Sequence, residues 1–151
     1  MPDNYSSFSF VIPGKPFGKQ RPRMTRVGHT YTPKETTNYE NLVKVLFSEK
    51  YPNHVPTDKS VVMVVEAEFP IPTSWSKKKK EKALHGYITP HKPDWDNIGK
   101  IISDALNGIA YLDDSQIYKA VVVKAYSESP KVKVFIEYED PDDLHLDELP
   151  F

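Results

Sequence analysis

The sequence predicts an α/β domain of α+β character, a single small unit in which helices pack on a mixed, largely antiparallel sheet. Three observations predict it. The chain has 151 residues with 38% hydrophobic content, enough for one core and too little for two. Runs with the strand period of two and the helix period of 3.6 succeed one another in the order strand, helix, strand, short helix, helix, strand, strand. No internal repeat interrupts that order, and helices layered on a sheet are the arrangement it allows.

Phe8 to Ile12 alternate weakly and end at Pro13-Gly14, as a short strand followed by a turn does. Gly14 to Arg26 is rich in Pro, Gly and cations without an apolar period, which predicts an exposed loop, long for a mere connector. Thr32-Pro33 then opens a helix, with Thr32 as N-cap and Pro33 in the first turn; Tyr39, Leu42, Val43, Leu46 and Phe47 follow helical spacing until Tyr51-Pro52. Ser60 to Phe69 reads as a strand halted by Pro70 and Pro72. Ser74 to Leu84 reads as a short basic helix capped by a serine and closed near Gly86. Ile98, Ile101, Ile102, Ala105, Leu106 and Ile109 form one apolar stripe, the clearest helix in the chain, ending near Gly108. Ile117 to Tyr126 and Val132 to Tyr138 flank Ser127-Glu-Ser-Pro130 and read as an antiparallel hairpin. Residues 1–138 are thus expected to form the domain, and 139–151 an acidic tail without apolar periodicity.

The formal net charge of -1 hides an uneven distribution. Residues 137 to 151 hold seven acids and no Lys or Arg, so residues 1 to 136 carry 20 minus 14, or +6. Five of those 14 acids lie between Asp94 and Asp114, which leaves the rest of the body still more basic. A basic surface suits a polyanion. Lys15, Lys19, Arg21, Arg23 and Arg26 in the loop, and Lys77, Lys78, Lys79 and Lys80 in the basic helix, are the candidates for sequence-independent phosphate contacts. Trp75, Phe17 and Tyr31 are candidates for stacking on exposed bases.

The chain has no cysteine, which excludes disulfides, Cys-based zinc sites and a thiol nucleophile. Its first residues carry no basic segment leading into an apolar stretch, and the longest apolar run, Val61 to Val65, is far too short for a bilayer. A cytoplasmic protein with no membrane partner is the expectation.

The informative feature is the acidic cluster. Asp94-Trp-Asp96-Asn97 stands at the start of the strong helix, where free N–H groups favour anions, yet a plain cap would need only one acid. At 100° per residue, Asp96, Lys100 and Asp104 share one side of this helix and the isoleucines the other. Asp113-Asp114 follows after a short loop. Clustered carboxylates repel one another unless a cation neutralises them, and oxygen-only ligands select a hard ion such as Mg2+ or Mn2+. An EF-hand is excluded, because Asp94, Asp96 and Gly99 match its first, third and sixth positions but Ile98 and Ala105 occupy the fifth and twelfth. The spacing leaves a blander alternative: Asp94 as a cap, Asp96 and Lys100 as a surface pair, and Asp113-Asp114 as a turn.

The run His91-Lys-Pro-Asp-Trp-Asp-Asn-Ile-Gly-Lys-Ile-Ile-Ser-Asp-Ala-Leu-Asn-Gly-Ile-Ala-Tyr-Leu-Asp-Asp-Ser-Gln-Ile117 resembles the signature of the RusA family of phage and prophage Holliday-junction resolvases. Gly14-Lys-Pro, Lys19-Gln-Arg-Pro-Arg23 and Tyr31-Thr-Pro33 resemble its N-terminal part, so the likeness covers most of residues 8 to 138. It implies a homodimer that nicks four-way DNA junctions in pairs during recombination and repair, using Mg2+ or Mn2+. Carried over, the metal carboxylates fall on Asp94, Asp96 and Asp114 and the catalytic lysine on Lys100, with Asp113 as a further ligand and Asn97 and Asp104 in support. His91-Lys92-Pro93 stands where some members carry an arginine run, so DNA contacts there need not be equivalent. Two rivals follow from the same residues: a junction-binding protein without catalysis, and a nuclease acting on flaps, forks or other branched DNA.

Overall fold

The computed structural model describes residues 7–138. Its centre is strand β4, Val61–Pro70, on which Val61, Met63, Val65, Ala67 and Phe69 are buried in strict alternation. β6, Lys131–Tyr138, lies antiparallel on one side of β4, with Val65 opposite Val134. β5, Ile117–Ser127, lies parallel on the other, with Val65 opposite Val122. β1, Ser7–Pro13, closes the far edge antiparallel to β6, giving the order β1-β6-β4-β5. Two of the three ladders are antiparallel, so the sheet is mixed and largely antiparallel as expected.

The expected hairpin of Ile117 to Tyr126 with Val132 to Tyr138 does not form, because β4 lies between the two strands. Pro70 and Pro72 end β4 opposite Ser127, so Glu128–Pro130 can pass over its end. Three linking residues are enough to cross two strand spacings of about 4.8 Å each. The most apolar strand thereby takes the position with neighbours on both sides.

One face of the sheet is covered by helices. Helix α1, Lys34–Lys50, buries Val43 and Phe47. It starts one residue later than expected, with Pro33 rather than Thr32 in the N-cap position and no side-chain cap bond. Helix α2, Lys77–Leu84, is capped by Ser76, whose Oγ accepts from the Lys79 N–H at 3.2 Å. Helix α3, Trp95–Ala105, buries Ile98, Ile101, Ile102 and Ala105, as the stripe predicts. It stops earlier than expected, and Leu106 to Tyr111 fold into turns. Within the long loop, β2, Arg23–Met24, and β3, Thr30–Tyr31, pair as a small ribbon the sequence does not announce.

Candidate active site

α3 carries the cluster along its exposed side. Asp94 occupies the N-cap position, but its side chain makes no cap bond; its Oδ1 instead accepts from Lys92 Nζ at 2.9 Å. That hydrogen bond and the Lys92 charge, with a smaller contribution from Lys124, hold the Asp94 carboxyl below its usual range. The main chain just before it is pinned by Lys124, whose Nζ donates to the carbonyls of His91 at 2.5 Å and Pro93 at 3.2 Å. Gly18 packs against Pro93 and Asn97, and the Lys19 N–H donates to the Asn97 carbonyl at 2.8 Å. Asp96 and Lys100 are exposed.

At the other end of α3, Asp104 and Asp114 come within hydrogen-bonding reach of each other. Asp114 opens a 3-10 turn, Asp114–Gln116, built as a capping box: Asp113 Oδ2 accepts from the Ser115 N–H, and Gln116 Oε1 accepts from the Asp113 N–H at 2.8 Å. Gln116 Nε2 also donates to the carbonyls of Thr57 and Lys59, both at 2.8 Å, tying this turn to the segment before β4. Burial, the hydrogen bond with Asp104 and the charges of Asp113 and Asp104 push the Asp114 carboxyl up, against a lowering contribution from Asn107. Hydrogen bonds from Ser115 instead hold Asp113 low. Two carboxyls in contact, one of them held toward its protonated form by burial and by its neighbours, are an oxygen donor set that a hard cation would satisfy.

The expected metal trio is not gathered at one point. Ten residues of helix separate Asp94 from Asp104, a rise of about 15 Å, and Asp114 sits with Asp104. Among the described residues no three His, Asp or Glu side chains converge as a ligand set. Asp94 and Asp96 belong to the N-terminal end of α3, Asp104 and Asp114 meet at its C-terminal end, and Lys100 lies between the two ends along the helix.

With that arrangement, the family model for the endodeoxyribonuclease RusA matches residues 13–137, a span holding both carboxylate groups and Lys100. The chain belongs to the RusA endodeoxyribonuclease family. It is also similar to "Uncharacterized protein YqaN" of Bacillus subtilis (strain 168), 41% identical over 133 residues that make up 84% of this chain and 93% of that protein. Among the described residues no helix is long and apolar enough to cross a membrane.

The cations expected to meet DNA in this RusA-family chain divide in two. Lys15, Arg21, Arg23, Arg26, Lys77, Lys78 and Lys79 are exposed, and Lys80 is half-buried. Lys79 Nζ stands 4.2 Å from the Trp75 ring centroid, and Trp75 packs edge-on against Tyr126. Phe17 stacks on Tyr39 beside the core, while Tyr31 stays exposed. Lys19 is already engaged: its ammonium pairs with Glu40 and, at 3.3 Å, with Asp104. Burial alone would lower its pKa, but these two acids raise it. Sequence reasoning missed the Lys19 bridge and the buttress of Lys124, which depend on distant partners. The tie through Gln116 had a signal, an Asp followed three residues later by Gln.

Proposed function

We propose that this chain is a divalent-metal-dependent endonuclease that resolves four-way DNA junctions by paired symmetric nicks, acting as a cytoplasmic homodimer in recombination and repair. The observation that carries this reading is helix α3 in a RusA-family chain, with Asp94 and Asp96 at its N-terminal end, Asp104 against Asp114 at its C-terminal end, and the exposed Lys100 between. Asp94 and Asp96 are assigned as metal ligands at the N-terminal end of α3, and Asp114, with Asp113 beside it and Asp104 in contact with it, as metal ligands at the C-terminal end. These carboxylates would hold Mg2+ or Mn2+, which would supply Lewis-acid chemistry for activating water and for offsetting charge on the leaving oxygen. Lys100, about 6 Å of rise from both Asp96 and Asp104, is assigned to the scissile phosphate, where a fixed cation stabilises the charge that develops. Lys124, Gly18 and Gln116 hold the main chain that presents these groups. Lys15, Arg21, Arg23, Arg26 and Lys77 to Lys80 draw in the backbone through sequence-independent contacts.

The test uses labelled four-way, three-way, flap and duplex DNA with Mg2+, Mn2+ or EDTA, and Asp94→Asn beside the parent. Paired cuts in the four-way junction are expected, abolished by EDTA and by the variant, which still binds. A parent protein that binds junctions and cuts nothing with either metal sinks the enzyme reading. Preferential cutting of flaps keeps the nuclease and replaces its substrate.

A further inference from the structure

We propose that Lys19 is a positioning residue for DNA cleavage and not a DNA contact: its ammonium, set between Glu40 of α1 and Asp104 of α3, fixes the carboxylate against which Asp114 rests. The inference depends on the nuclease reading of the preceding section and adds a residue to it. The loop from Gly14 to Arg26 divides at this point. Residues 16–20 are buried or half-buried, whereas residues 21–31 are all exposed. Arg21, Arg23 and Arg26 therefore face solvent, while the Lys19 side chain is 20% exposed and its partners Glu40 and Asp104 are 16% and 24% exposed.

The inner part of the loop is fastened to both helices. Gly18 packs against Pro93 and Asn97, and the Lys19 N–H donates to the Asn97 carbonyl at 2.8 Å. Gln20 Oε1 accepts from the Oγ1 of buried Thr36, on α1, at 3.0 Å. The Lys19 ammonium thus starts from a fixed main chain; it donates to Glu40 and stands 3.3 Å from Asp104 Oδ2. Asp104 in turn lies within hydrogen-bonding reach of Asp114. Carboxyl groups from α1, α3 and the turn before β5 therefore share the neighbourhood of one ammonium. Carboxylates in contact repel one another unless a cation lies beside them. The Lys19 charge offsets that repulsion, and its anchored stem sets where Asp104, and through it Asp114, stands. To reach a phosphate at the surface this ammonium would have to leave both half-buried acids, so the salt-sensitive contacts fall to the arginines beyond it.

The test compares Lys19→Met, which keeps an apolar stem and removes the charge, with the parent on a labelled four-way junction. Single-turnover cleavage at saturating protein is expected to fall about 10- to 100-fold, the cost of a misplacement near 1 Å. Junction affinity and its salt dependence are expected to stay as in the parent. Mn2+ binding, followed by electron paramagnetic resonance of the free ion, is expected to tighten about threefold or more, because a competing positive charge has left the carboxylates. A side chain that only supported the fold would not tighten Mn2+ binding on removal. A phosphate contact would instead reduce the slope of log binding constant against log salt by about 0.9. Glu40→Gln loosens Lys19 from α1 and should slow cleavage about threefold or more; it decides the matter if circular dichroism shows Lys19→Met unfolded. A folded Lys19→Met that cuts as fast as the parent, lowers the salt slope by that amount, or holds Mn2+ no more tightly overturns the inference. So does, in place of an unfolded Lys19→Met, a Glu40→Gln that cuts as the parent does. A parent that cuts no DNA with either metal sinks the nuclease reading and this inference with it, whereas a cutting parent matched by Lys19→Met sinks the inference alone.

Discussion

Gln116 offers the most direct way to separate holding the site from forming it. Its side chain makes three hydrogen bonds of 2.8 Å, two given to the Thr57 and Lys59 carbonyls and one taken from the Asp113 N–H. Gln116→Ala removes all three, and the Thr57 carbonyl, which accepts from Gln116 and from the Leu112 N–H, keeps only the latter, at 3.1 Å. At about 1 kcal/mol net for each hydrogen bond, and less for the exposed one, the loss is about 2–3 kcal/mol. For a domain of this size that lowers the melting temperature by roughly 5–10 °C. The same change releases the turn carrying Asp113 and Asp114, so at a temperature where the variant is fully folded junction cutting should fall about 10- to 100-fold, the cost of a misplacement near 1 Å. Thermal unfolding by circular dichroism and single-turnover cleavage are the two assays. Gln116→Glu keeps the acceptor for Asp113 but sets a carboxylate against two carbonyls, and should be no more stable than the alanine variant. If Gln116→Ala melts with the parent, or Gln116→Glu is as stable as the parent, the tie does not hold the turn.

Asp114→Asn should stop cleavage and yet stabilise the fold near neutral pH. The Asp114 pKa is raised in the folded chain, so its contribution to stability is full below the ordinary carboxylate value and is lost as pH rises through the raised one. Asparagine stays neutral throughout; urea unfolding should show the variant gaining on the parent as pH rises, and a variant less stable near neutrality would contradict the repulsion. Gly18→Ala would place a Cβ 2.6 Å from Pro93 Cβ and 3.3 Å from Asn97 Cβ; overpacking of this kind costs about 1–3 kcal/mol, and an unshifted urea midpoint would mean that the loop yields freely. Replacing Arg21, Arg23 and Arg26 together with alanine should reduce the slope of log binding constant against log salt by about 2.7, at about 0.9 for each phosphate no longer neutralised, and an unchanged slope would remove this segment from the DNA interface.

The elements were legible in the sequence where periodicity is strong, and their pairing was not. The stripe from Ile98 to Ala105 marks α3 because a buried helix face must repeat every 3.6 residues, and the alternation of Val61 to Phe69 marks β4 for the matching reason. Nothing local distinguishes a hairpin of β5 with β6 from two strands that accept β4 between them. The short link Ser127 to Pro130 suits both arrangements. What decides is the burial of β4, a property of the assembled sheet. The ribbon of β2 and β3 escaped notice because two-residue strands have no period to read.

The site shows the same division between what an angle fixes and what a distance fixes. Sequence spacing places Asp96, Lys100 and Asp104 on one side of α3, and they are there. Sharing a side is an angular relation, whereas holding one ion is a matter of a few ångströms, and eight residues of rise carry Asp104 about 12 Å beyond Asp96. Asp114 could return to either end of the helix. β5 runs back along α3, with Val122 beside Gly99 and Lys124 at Pro93, so the turn before β5 must lie at the C-terminal end of α3. That topology puts Asp114 against Asp104. It also explains why Lys19, alike in sequence to its basic neighbours, differs from them in structure: its main chain is fixed to Asn97, about two helical turns from Asp104, and its ammonium meets the carboxylate that Asp114 already crowds.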